Sequence, residues 1–558
     1  MDMFSTNFTA TDWGIVAVYL VGIGLIGVFV NRYIHNVSDY MVAGRGSGTA
    51  LNAATFVATG LGLVTVMYAS IDGFNKGFSY MILGLIGVAV GLTLGSTGFV
   101  IRRLRELKLV TLPEYFQRRY SRRVRVTAGI ICAAAGILNM GLFPKMGATF
   151  ITYATGLGRT EQAAPALPAT PVAEELGKDA KAPAAKAAPA KSAALSKQEL
   201  TVNVVTSILI AVVLLYTVMG GMVSVIVTDY IQFILLSVGL GLGLYFCLAN
   251  PELGWDNMVA ALKQHRGERA FNPVHPDSYS WVWVLWMVVH FAAAALCWAP
   301  EASRALTSKD PATTKRTFLF GAPGQFVRLA LPALLGIAAF CYVSRHAELT
   351  AYFFPNGLGG DPEHAGQAMP LLLGKIIPSG LLGLLVAGMM AALMSTHDSY
   401  FLCWASVITR DVVAPLRRGE LSDRRQIRIT RITIVLIGVF LLVWGVWFEL
   451  PESVWTYMAV TGSVWLCGAI VVLVGGMYWR RASSMGAMAA LLGGLLSIAF
   501  IFDQVTAEVT RLVGPLFPSV VTNKYALLGV VGLANYAFCA IVFVVFSLLF
   551  PDAAGGRK

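Results

Sequence analysis

Charge is what this chain has least of. Among 558 residues only 13% are Asp, Glu, Lys or Arg, against about 25% in a typical soluble domain. Hydrophobic residues make up 56% and the mean hydropathy is +0.68. So little charge cannot keep so apolar a surface in water, which excludes a soluble multidomain enzyme, a disordered protein and a secreted scaffold. Paired cysteines are also missing. Cys132, Cys247, Cys297, Cys341, Cys403, Cys467 and Cys539 are scattered, mostly inside apolar runs, with no CxxC pair. They read as small buried hydrophobes, neither disulfides nor metal ligands. No basic residue precedes the first apolar run, so Met1–Trp13 is not expected to be a signal peptide. No metal-ligand cluster, nucleophile–base pair or phosphate-binding loop stands out, which argues against a membrane enzyme.

Apolar runs are abundant. A membrane helix needs roughly 20 mainly apolar residues, and 13 such segments occur, near 13–31, 50–73, 78–101, 126–156, 201–219, 223–248, 280–302, 318–343, 372–408, 431–449, 453–478, 485–503 and 525–549. The expectation is an all-α integral membrane protein in the cell membrane. An odd count puts the termini on opposite sides. With the N-terminus outside, 26 of the 42 Lys and Arg fall on the cytoplasmic side, nine of them between Arg102 and Arg125. The positive-inside rule therefore predicts an N-out/C-in orientation. The net charge of +12 is thus a matter of topology, and no nucleic-acid partner is expected. Residues 158–200, rich in Ala, Pro and Lys and without aromatics, read as a disordered or partly helical outer loop.

Several stretches resemble the sodium:solute symporter family. Thr111-Leu112-Pro113-Glu114-Tyr115 follows a basic loop. Tyr216-Thr217-Val218-Met219-Gly220-Gly221 precedes Thr228-Asp229-Tyr230-Ile231-Gln232. Arg304-Ala305-Leu306-Thr307-Ser308-Lys309-Asp310 forms a third motif. Ala391-Ala392-Leu393-Met394-Ser395-Thr396-His397-Asp398-Ser399 leads to Thr409-Arg410-Asp411. Gly475-Gly476-Met477-Tyr478-Trp479-Arg480-Arg481 precedes Gly486-Ala487. The five motifs come in the family's order, and the likeness runs from about residue 10 to 550. It implies the LeuT-type fold, in which two five-helix repeats are inverted about an axis in the membrane plane. By that likeness residues 1–49 carry an extra helix, 50–248 and 280–478 are the two repeats, and 485–550 hold two appended helices. It also implies coupling of inward Na+ flow to uptake of a small organic solute, with no obligatory protein partner evident.

The residues suggest where the chemistry lies. Sodium is a hard cation that takes about five oxygen ligands, supplied inside a membrane by hydroxyls, carboxylates or freed carbonyls. Gly60 and Gly62 in one helical turn weaken the second span. They either free carbonyls at mid-depth or permit close helix packing. Ser395 and Thr396 are adjacent hydroxyls in an apolar helix; alone, such pairs often bond back to their own helix. The resemblance assigns a sodium cage to the carbonyls of Ala58, Leu61 and Ala392 with the hydroxyls of Ser395 and Thr396. Asp229 and Asp398 are acids within apolar spans, where acids are costly and usually functional. With Ser395 and Ser399, which share a helix face, they form a candidate second ion site or proton-coupling site; interfacial acids bonded to backbone remain the alternative.

For the solute, Gly60, Thr65, Lys145 and His290 are the candidates. Lys145 lies deep in an apolar span beside Pro144, and its partner is either a carboxylate of the protein or that of an anionic solute. Arg328, near the end of its span, is expected to snorkel to lipid headgroups. Trp281, Trp283 and Trp286 read as an interfacial belt. After the helix break the chain has Val64 and Thr65, and in the next helix Gly84. Sugar-transporting members carry acidic and amide groups at those two places, so a carboxylate or amino acid is favoured over a sugar. A proton-coupled symporter is the nearest alternative. A solute sensor is another, but it would need an output domain, and only about eight residues follow the last span.

Overall fold

The computed structural model describes residues 5–30, 48–157, 197–417, 421–447, 454–501 and 523–552, with a few positions between 505 and 515. Most of the 158–200 segment lies outside these residues; only Lys197–Leu200 are described, and they begin a helix.

The described chain is helical throughout. In order come α1 (Ala10–Val30), α2 (Thr49–Gly60), α3 (Leu63–Lys76), α4 (Ile82–Thr97), α5 (Ile101–Glu106), α6 (Leu112–Arg119), α7 (Arg122–Met140) and α8 (Phe143–Thr155). Then follow α9 (Lys197–Ala249), α10 (Trp255–Arg266), α11 (Trp281–Cys297), α12 (Ala299–Thr307), α13 (Pro311–Arg345), α14 (Ala347–Phe353), α15 (Ala365–Ile376) and α16 (Leu381–Val407). The last four are α17 (Asp423–Trp447), α18 (Val454–Tyr478), α19 (Ser484–Gly493) and α20 (Lys524–Leu549). The apolar runs expected to span the membrane fall largely on helices where they are described. Among the described residues eight helices are long and apolar enough to cross a bilayer, nine if the bent pair α11/α12 counts as one span.

The breaks have local causes. The second span divides where Leu61 and Gly62 leave the helix, and Gly62 caps α3 with extended backbone (φ −77°, ψ 165°). Helix α9 is two helices meeting at Gly221, whose φ of 55° and ψ of −165° suit a residue without a side chain. The α11/α12 pair bends by 47° at Trp298. Pro300 has no N–H to continue the ladder, and the Trp465 indole donates to the Cys297 carbonyl at 2.8 Å.

Helix α16 forms the centre of the bundle and is buried over nearly its whole length, packed by α9, α1, α17 and α7. Helix α4 meets α13 through Gly84, Gly87, Gly91 and Gly95, whose added Cβ atoms would touch Phe326, Gln325, Ala322 and Leu319. Without a water-driven attraction between helices, such close backbone contact supplies the association. Six cysteines are buried and Cys403 is half-buried, and none of the seven forms a disulfide. The aromatic belt needs correction: Trp281 is exposed, but Trp283 and Trp286 are buried, packed against Gly529 and Gly532 of α20.

The loops sort into two sets. Lys76, Arg266, Arg269, Asp361 and Lys524 gather around one wide vestibule of about 700 Å³. At the other end the α5–α7 arginines hold helix termini. Arg103 donates to the Met477 carbonyl at 3.0 Å, Arg119 to Gly476 at 2.9 Å, and Arg105 to Lys309 at 3.0 Å. Arg125 donates to Asp411 at 2.8 Å and to the Arg410 carbonyl at 2.9 Å. The charge pattern had separated the same two sets of loops.

Candidate functional site

Two broken helices face each other across the core, and each break exposes backbone where an intact helix would hide it. At the first, the Thr65 hydroxyl donates to the Gly60 carbonyl at 2.8 Å, and the Leu61 amide donates to the Val57 carbonyl at 2.8 Å. Leu61 is buried; Ala58 occupies the last turn of α2. Helix α16 passes directly behind. A Cβ added to Gly62 would lie 2.1 Å from Thr396 Oγ1, so only glycine lets the hydroxyl stand against the break. The Ser395 and Thr396 hydroxyls both donate to the Ala392 carbonyl, at 3.1 and 3.2 Å. Both alternatives seen in the glycine pair therefore hold together: the helix breaks, and the missing side chain admits a neighbour. The hydroxyls do bond back to their own helix, which gathers three oxygens of the expected cage at one carbonyl, with Thr396 against Gly62.

Asp229 on α9 and Asp398 and Ser399 on α16 are all buried. Tyr19 of α1 lies within electrostatic reach of both carboxylates, and its hydroxyl accepts a bond from Gln232 at 3.2 Å. Tyr19 and Gln232 escaped the sequence reading of this site; the Gln232 that ends the Asp229 motif was the available signal. Among the described residues no cluster of three His, Cys, Asp or Glu could hold a metal ion, so a cation here would depend on hydroxyls, carbonyls and this pair of acids.

A central cavity of about 120 Å³ opens beside the break. Gly60, Thr65, His290 and Thr396 all line it. The His290 ring reaches Ser463 and Tyr536, each at 3.4 Å. Lys145 lines neither cavity. It is half-buried on α8, where neighbouring Pro144 packs on Gly445 of α17, so it makes no contact with the cavity that holds the other three solute candidates.

The cavity also contains groups that the sequence reading missed. Arg328 does not snorkel. It is only 8% exposed and its guanidinium turns inward to the cavity, 3.5 Å from Glu301. Gly60 makes room for it: a Cβ there would fall 1.9 Å from Arg328 Nη1. Glu301 occupies the first turn of α12, where the helix dipole favours an acid. Tyr68 and Trp455 line both the cavity and the vestibule, with ring centroids 5.1 Å apart; these two rings stand between the two spaces.

Comparison with known proteins agrees with this architecture. The model of the sodium:solute symporter family matches residues 188–494, more than half of the chain. The sodium/sialic acid symporter SiaT of Proteus mirabilis is 23% identical, over 88% of this chain and 89% of its own. The sodium/proline symporter of Haemophilus influenzae is 24% identical, over 95% and 93%. A solved structure of a Na+-coupled sialic acid symporter in a substrate-bound, outward-open state superposes with a TM-score of 0.71, at 18% identity, over 98% of this chain and 99% of that one.

Broken helices around a mid-bundle cavity define a secondary transporter of the LeuT-type fold, not an enzyme. The chain belongs to the sodium:solute symporter family. It is a multi-pass membrane protein that couples sodium flow to the movement of a small organic solute.

Proposed function

We propose that the coupling sodium is held by the carbonyls of Ala58, Leu61 and Ala392 with the hydroxyls of Ser395 and Thr396, and that the solute occupies the adjoining cavity. The observation that carries this reading is the contact of the Thr396 hydroxyl with the helix break at Gly62. Thr396 also lines the cavity, so one side chain links ion and solute. Sodium in the cage ties α16 to the break and preforms the cavity. The solute then closes the path at Tyr68 and Trp455, and loss of sodium on the far side lets the break relax. Asp229, Asp398 and Ser399, with Ser395, form a second cation site served by Tyr19. Gly60, Thr65 and His290 contact the solute, a carboxylate or amino acid. The two repeats run over 50–248 and 280–478, and the arginine-rich end faces the cytoplasm, so transport is inward.

Thermal unfolding of the purified protein tests this reading, with Na+ titrated against choline at constant ionic strength. A ligand bound only by the folded state stabilises it by about 2.7 kcal/mol at a hundredfold excess over its Kd. Thr396→Ala removes one cation–hydroxyl contact, worth about 1.5–3 kcal/mol. The expected result is an Na+ midpoint raised by about tenfold or more, with stability in choline preserved. A wild-type midpoint in the variant overturns the assigned cage. Stabilisation by solute that is equal in Na+ and choline overturns sodium coupling at this site in favour of protons at the acidic pair.

A further inference from the structure

The central cavity contains one cation and one anion, and the way they are held points to the charge of the solute. Among its described lining residues Glu301 is the one carboxylic acid and Arg328 the one guanidinium. Their separation of 3.5 Å is long beside the 2.7–2.9 Å of a well-made charged hydrogen bond, so the pair can part. Arg328 is more than nine-tenths buried, yet its Nε makes no hydrogen bond within the protein. Two more lining atoms, Asn139 Oδ1 and Trp455 Nε1, are likewise buried without a partner. Buried polar groups are nearly always satisfied, a charged donor above all. These three are therefore available to a bound ligand.

We propose that the solute is a small zwitterion, its carboxylate bound on the Nε edge of Arg328 and its ammonium on Glu301. The proposal rests on the reading that this cavity is the solute site, and it selects the amino-acid class from the two left open. A simple carboxylate would meet Arg328 but bring a like charge against Glu301. A simple amine would do the reverse, and a neutral polyol would leave both charges unanswered in an aromatic setting. Only a dipolar solute answers both at once. Size agrees: the cavity of about 120 Å³ is of the order of one that encloses benzene, about 150 Å³, which suits a small amino acid and excludes a nine-carbon sugar acid in this conformation.

The test is ligand-induced thermal stabilisation of the full-length protein in detergent with saturating Na+. The probes are the proteinogenic amino acids and glycine betaine, the deaminated acids of alanine and valine (propionate, isovalerate), their decarboxylated amines (ethylamine, isobutylamine) and glycerol. Wild type is expected to respond to at least one zwitterion and to neither half of it. Glu301→Gln is expected to weaken that response at least tenfold and to admit the deaminated acid. Arg328→Gln is expected to abolish both responses. A variant is scored only where Na+ alone still stabilises it, and the wild-type panel stands without any variant. If the deaminated acid, the decarboxylated amine or glycerol stabilises wild type as well as any zwitterion, or no zwitterion does, the proposal is overturned while the cavity reading survives. If a zwitterion binds and both variants respond as wild type does, the cavity reading itself falls.

Discussion

Replacing Gly62 by alanine separates close packing at the helix break from ion binding there. The backbone does not resist, because φ −77° and ψ 165° are open to any residue. The obstacle is α16. The new Cβ would lie 2.1 Å from Thr396 Oγ1, 2.9 Å from its Cβ and 3.2 Å from its Cγ2. Turning the hydroxyl away cannot relieve the contact with Cβ, so α16 and the break must move apart by several tenths of an ångström. Overpacking of this kind costs about 1–3 kcal/mol. In the proposed cage, a sodium-free protein can let the two elements separate, whereas the sodium-bound state needs Leu61 and Thr396 around one ion, so the cost falls on binding. Converted at 1.4 kcal/mol per decade, the Na+ midpoint rises by about 5- to 150-fold. The assay is the Na+ titration of thermal unfolding, with Gly241→Ala as control; that position has nothing within 4 Å of an added Cβ, and the change leaves stability equal or slightly higher. If Gly62→Ala unfolds earlier in choline but keeps the wild-type Na+ midpoint, the contact at Thr396 is packing alone.

Gly60→Ala acts on the other partner of the break: its Cβ would fall 1.9 Å from Arg328 Nη1, so solute-induced stabilisation is lost while the Na+ midpoint stays within about threefold of wild type. Trp455→Ala removes one of the two rings between vestibule and cavity, and a cysteine placed at Gly462, which lines the cavity, then reacts faster with a membrane-impermeant thiol reagent; an unchanged rate dismisses the gate. Arg125→Gln leaves the fully buried Asp411 carboxylate without its 2.8 Å ion pair and is expected to cost about 3–5 kcal/mol, read as a fall in unfolding temperature. The double variant with Asp411→Asn should lose less than the sum of the singles, as expected for groups in one network.

The chain by itself marked its apolar runs, the loops rich in Lys and Arg, and a weak point in one span. Each of these follows from patterns written along the backbone: twenty-residue apolar runs, the distribution of Lys and Arg, and Gly60 with Gly62 in a single turn. The hydroxyl pair Ser395–Thr396 and the acids Asp229 and Asp398 were legible because polar groups are conspicuous in an apolar helix. Which of these groups meet was decided by the tertiary structure. Arg328 looked like a headgroup anchor because a lone arginine near the end of a span usually is one; Glu301 lies 27 residues away on another helix, and only the α12–α13 packing and the room at Gly60 turn it inward. Lys145 drew attention as a cation deep in an apolar span, yet it is not among the residues that line the cavity. Trp283 and Trp286 share their composition with an interfacial belt, and two glycines of α20 make them core. Sequence reports the cost of placing a group in a membrane; the neighbour that offsets that cost comes from a distant part of the chain, and only the fold brings it near.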